Sequence, residues 1–69
     1  MPETTIGIVL FYLPAKGYGY VRVPDTHEEF RFRTTDLLQV VQAGDRVRFT
    51  IKHEKKEYRA TAITLLTLA

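Results

Sequence analysis

The segment Lys16-Gly17-Tyr18-Gly19-Tyr20-Val21 concentrates the residue types and spacings from which this sequence could do chemistry. In an extended strand successive side chains point to opposite faces, so Tyr18, Tyr20 and Arg22 share one face while Gly19, Val21 and Val23 share the other. Two outward tyrosines separated by a glycine, which leaves room beside each ring, form an aromatic platform. Nucleobases stack on such a platform at about 1–3 kcal/mol per base, and without sequence preference because every base has a π-face. Lys16 and Arg22 bracket the pair with positive charge suited to a phosphate backbone, and Phe11 adds a neighbouring ring. Tyrosine favours strands in any protein. The pairing on one face between cations is what points to binding.

The next alternating run, Glu29 to Arg33, sets Phe30 and Phe32 on one face and Arg31 and Arg33 on the other. Guanidinium planes stack on bases and pair with phosphates. A second reading pairs the same arginines with Glu28, Glu29 or Glu57 on a solvated face. Further along, Lys52, Lys55, Lys56 and Arg59 alternate with Glu54 and Glu57. That pattern reads as a solvated hairpin, with a phosphate-contacting rim formed by these cations as the second reading.

Other chemistries find little support. His27 and His53 stand alone and the chain has no cysteine, so no metal site is expected. Asp25, Glu28, Glu29, Asp36 and Asp45 fall in turns or at strand edges, with no nucleophile–base pair beside them. Gly17 and Gly19 belong to a strand and its turn rather than to a phosphate loop. A catalytic role and a cofactor are therefore not expected.

The elements that must position these residues are short. Pro, Gly and polar clusters cut the 69 residues into β-type runs at near-regular spacing. The runs are Thr5 to Tyr12, Tyr18 to Val23, Glu29 to Arg33, Arg46 to Lys52 and Tyr58 to Leu66. Leu13 to Gly17, Pro24 to His27 and Gln42 to Asp45 read as turns. His53 to Glu57 reads as a charged connection. Thr34 to Val41, with Thr or Asp as an N-cap before spaced aliphatics, reads as a single helical or 3₁₀ turn.

Five strands with one short helical turn between the third and fourth predict an all-β, partly closed Greek-key barrel of the OB type, one domain over residues 1–69. Its expected interior is Val9, Val21, Val23, Phe30, Phe32, Leu37, Val47, Phe49, Ile51 and Ile63. The first strand defies simple parity, because Ile6, Ile8, Leu10 and Tyr12 are apolar and so are Val9 and Phe11. A strand apolar on both faces must bury both or use one for binding.

Composition agrees with a soluble globular domain: 45% hydrophobic, 26% charged and a net charge of +2. A chain this small buries only about 60% of its unfolded surface, and closing a sheet into a barrel is one solution that needs no disulfide. Lack of cysteine fits a reducing cytoplasm. Met1 to Thr5 lacks the basic start and apolar run of a signal peptide. Ile6 to Leu13 and Ile63 to Ala69 are strand-sized, well short of the roughly 20 residues that span a bilayer.

Gly7-Ile8-Val9-Leu10-Phe11-Tyr12 followed by Lys16-Gly17-Tyr18-Gly19-Tyr20-Val21 resembles the opening of a cold-shock domain. The resemblance continues through Asp36-Leu37, Gly44-Asp45-Arg46-Val47-Arg48-Phe49-Thr50-Ile51 and Ala60-Thr61-Ala62-Ile63, in the family's order. It implies a five-stranded barrel that binds single-stranded RNA or DNA with little sequence preference, as an RNA chaperone or regulator of gene expression. Matched by motif, Phe11 takes the position of the family's stacking tryptophan, and Lys16, Tyr18 and Tyr20 take binding positions of the second strand.

The sequence departs from that pattern where the family's outward Phe and His become Arg31 and Arg33. Leu10 and Leu13 replace a lysine and an asparagine, and the loop after Leu37 is shorter than usual. The expectation is thus a nucleic-acid-binding face built from Phe11, Lys16, Tyr18, Tyr20, Arg22, Arg31, Arg33 and Arg59. The alternative is a protein-interaction or homodimer module using the apolar edge Leu10-Tyr12-Leu13.

Overall fold

The computed structural model describes residues 4–55 and 57–66. Lys56 of the charged connection and residues 67–69 of the apolar C-terminal stretch lie outside the described residues, as do residues 1–3. Five strands form: β1 (Thr4–Leu13), β2 (Tyr18–Arg22), β3 (Glu29–Arg33), β4 (Arg46–Glu54) and β5 (Glu57–Leu65). A 3₁₀ turn, Thr34–Asp36, follows β3 directly. The strands close into a barrel in the order β1-β2-β3-β5-β4, an OB-type arrangement.

The interior is Val9, Val21, Phe30, Phe32, Val41, Val47, Phe49, Ala60 and Ile63, with Tyr12, Val23, Leu37, Ile51 and Leu65 packed against it. Burying each large aliphatic or aromatic side chain stabilises the fold by about 1.5–3 kcal/mol. Val23, Leu37 and Ile51, expected inside, pack against this core but are only partly covered. Val41 and Ala60 join it without having been expected.

Two irregularities decide which residues face inward. In the β1–β2 ladder Val9 pairs with Val21, but Phe11 pairs with Tyr20. Leu10 is therefore an extra residue, a β-bulge, and alternation resumes in the opposite phase beyond it. Gly7 and Val9 face in before the bulge and Tyr12 faces in after it, opposite Gly19, while Phe11 faces out. This change of phase explains why Val9 and Tyr12 both reach the core while Phe11 does not; Ile6 and Ile8 stay on the outer face, Ile6 being 50% exposed.

The second bulge lies in β5, where the β4 pairing passes from Thr50–Thr61 to Arg48–Thr64. Ala62 there adopts a left-handed φ of 52°. The extra residue lets Ala60 and Ile63, three apart, both reach the core.

The β1–β2 turn is closed by Lys16 and Gly17 N–H groups donating to the Leu13 carbonyl at 3.0 and 2.8 Å. Gly17 at φ 79° adopts a conformation that side-chain-bearing residues rarely take. At Gly19 the need is space: a Cβ would stand 2.4 Å from the Phe11 carbonyl oxygen and 2.5 Å from the Phe32 ring.

The connection expected over His53 to Glu57 is mostly strand. His53 pairs with Tyr58 and Glu54 with Glu57, so β4 and β5 run on as a hairpin whose turn is two residues long. The barrel closes least tightly between β3 and β5. These strands meet in parallel at Arg31–Arg59, and Leu37–Ile63 forms one isolated bridge beyond.

Candidate nucleic-acid interface

Cross-strand partners in a sheet share a face, so the ladders give the composition of the outer surface directly. One row runs Phe11–Tyr20–Arg31 across β1, β2 and β3, and the next runs Leu13–Tyr18–Arg33. Phe11, Tyr18 and Tyr20 form a triad, with ring centroids 5.4 Å apart for Phe11–Tyr20, 6.0 Å for Phe11–Tyr18 and 6.4 Å for Tyr18–Tyr20. Two of the three contacts are edge-on, at interplanar angles of 84° and 81°. That geometry sets the positive edge of one ring against the negative face of another. All three rings are half-buried, so each is held by its neighbours while part of it meets solvent.

The Arg31 guanidinium carbon stands 5.2 Å from the centroid of the Tyr18 ring, within cation–π range. Arg31 and Arg33 are exposed and form no ion pair with any described residue. The alternative pairing with Glu28, Glu29 or Glu57 is thus not adopted. Lys16 is exposed in the turn leading into β2, likewise without an ion pair among the described residues.

Two other expected cations are already committed. Arg22 donates to Glu29, its cross-strand partner, at 2.9 Å. Arg59 is largely covered, with Nε 3.5 Å from Asp36 Oδ2 and a terminal nitrogen 3.5 Å from Glu54 Oε2. Asp36 is buried and also accepts the Arg33 backbone N–H at 2.9 Å, which ties the 3₁₀ turn to both β3 and β5. Arg59 therefore sits in a structural network, with little charge left over for a ligand.

The apolar edge Leu10-Tyr12-Leu13 is not one patch. Tyr12 turns inward, its ring 5.7 Å from that of Phe32 and its hydroxyl 3.1 Å from Thr34 Oγ1. Leu13 shares the outer face with Tyr18.

A fourth aromatic site lies on the β4–β5 hairpin, where His53 and Tyr58 stack with centroids 4.6 Å apart and planes at 23°. Tyr58 is 60% exposed. Reading residues 53–57 as a connection hides this pair; continuing the β alternation through a two-residue turn would have set His53 opposite Tyr58.

Among the described residues no group of three or more His, Asp or Glu side chains could hold a metal ion. No protein-family model matches the chain, and no curated protein matches it.

Proposed function

We propose that this barrel binds single-stranded RNA or DNA with little sequence preference across the outer face of β1, β2 and β3. The observation that carries the reading is the Phe11–Tyr18–Tyr20 triad beside two unpaired arginines, Arg31 and Arg33. Bases stack on the three rings, and Arg31, Arg33 and Lys16 meet phosphates. The resemblance to cold-shock domains in the second strand supports the same role. A surface that holds bases by their π-faces keeps them from pairing with one another, so the activity expected in the cell is that of an RNA chaperone. On this reading the protein is a cytoplasmic binding module rather than an enzyme.

The test is titration with short single strands, followed by quenching of tyrosine fluorescence, which no tryptophan masks. Tyr18→Ala with Tyr20→Ala removes two stacking partners and weakens binding by about 30-fold or more, at ~1 kcal/mol or more per base. Unchanged affinity in a folded double variant rejects the proposal.

A further inference from the structure

The β3–β5 seam carries two adjoining grooves on its outer side. One, of ≈ 550 Å³, is lined by Arg31, Arg33, Lys55, Tyr58 and Arg59 together with Glu54 and Glu57. The other, of ≈ 430 Å³, runs from Tyr20 past Phe30 and Arg31 to Tyr58, and is edged by Glu28, Glu29 and Glu57. Arg31 and Tyr58 line both. The grooves therefore join Tyr20, a member of the aromatic triad, to the exposed tyrosine of the hairpin.

Both ends of this path are aromatic and Arg31 stands between them; on the smaller groove Glu29 is paired with Arg22, while Glu28 and Glu57 form no ion pair among the described residues. In the larger groove four cations face two carboxylates, and Glu54 is already paired with Arg59 at 3.5 Å and Lys52 at 3.6 Å. His53 stacks on Tyr58, which fixes the orientation of that ring while 60% of the residue stays exposed. Strand spacing in a sheet is about 4.8 Å, so β5 lies only about 10 Å from Tyr20 across the surface. That distance is easily crossed by a few nucleotides of extended chain.

We infer that Tyr58, backed by His53, is a second base-stacking subsite for the same single strand. The strand leaves the triad at Tyr20, crosses Arg31 with its phosphates against Arg31 and Arg33, and stacks a further base on Tyr58 in the larger groove. Lys55 meets the phosphate beyond. The inference rests on the single-strand reading above.

Strand length separates the two. Affinities are measured for oligo-dT of about 3 nucleotides and of about 10, the latter within the ~4–16 nucleotide footprint of one OB fold. Tyr58→Ala should weaken binding of the longer strand by about 5-fold or more and leave the shorter unchanged, while Tyr58→Phe preserves both. In the unaltered protein the Tyr58 ring protons should shift upfield with the longer strand and stay put with the shorter. An unchanged affinity for the longer strand, an equal loss at both lengths, or unmoved Tyr58 resonances each overturn the second subsite. If the unaltered protein binds neither strand, the single-strand proposal fails and the subsite with it. If binding depends on Tyr18 and Tyr20 but not on Tyr58, only the subsite fails.

Discussion

Phe11 stands directly across the β1–β2 ladder from Tyr20, ring centroids 5.4 Å apart, although regular alternation from Val9 would turn Phe11 into the core. The extra residue Leu10 brings the two rings to one face, and it simultaneously sends Tyr12 inward against Phe32. Adjacent residues of the first strand thereby acquire opposite duties.

Single alanine substitutions should separate those duties. Phe11→Ala is expected to weaken oligonucleotide binding by about 5-fold or more while leaving the fold intact. Tyr12→Ala should leave binding near its original strength and lower stability by about 2 kcal/mol or more, through lost core packing and the lost Thr34 contact. Titration and urea unfolding of the two variants check this, and the reverse assignment of effects would mean that β1 carries no bulge at Leu10.

Gly19 sits between Phe11 and Phe32 with no room for a methyl group. Gly19→Ala is expected to destabilise the barrel by about 1–3 kcal/mol, because the nearer obstacle is the Phe11 carbonyl and backbone cannot swing aside as a side chain can. A midpoint of urea unfolding equal to that of the original chain would contradict the close approach.

The cations should differ in how they respond to salt. Each phosphate neutralised on a single strand contributes about −0.7 to the slope of log K against log salt. Arg31→Ala and Arg33→Ala should each reduce the steepness by roughly that amount. Arg59→Ala should leave the slope nearly unchanged, since Arg59 is engaged by Asp36 and Glu54. Binding isotherms at several salt concentrations measure this; a change in slope for Arg59→Ala would show that its charge reaches the ligand.

Arg59→Ala should instead appear in stability. Without it the buried Asp36 carboxylate keeps only the Arg33 N–H, and leaving a buried polar group short of partners costs about 1–3 kcal/mol. Thermal unfolding monitored by circular dichroism gives the answer, and an unaltered transition would remove Arg59 from the network that holds the 3₁₀ turn.

Local alternation made much of this structure legible in advance. The Phe30/Phe32 and Arg31/Arg33 faces of β3 follow from period two alone, as do the two faces of β2. The bulge at Leu10 does not, because an extra residue leaves no mark in a run that is apolar on both sides, and the one at Ala62 falls among small residues and threonines that suit either face. Val41 reaches the core from a loop, where no periodicity exists to reveal it. The candidate rings could be read from the sequence. Which cations remain free could not, since Arg22 and Arg59 owe their pairing to partners brought beside them by the closed barrel.

The sparse join between β3 and β5 also bears on how the barrel comes together and comes apart. The β1–β2, β2–β3 and β4–β5 ladders connect neighbours in sequence, whereas the Arg31–Arg59 bridge must close a long intervening loop and has few bonds in return. Held by so few bonds, that join is expected to part more readily than the ladders, and its amides should exchange with solvent ahead of those in the β1–β2 ladder. A strand of nucleic acid laid from Tyr20 to Tyr58 spans that gap from outside and would slow its opening, making the bound polymer a clasp on the protein that holds it.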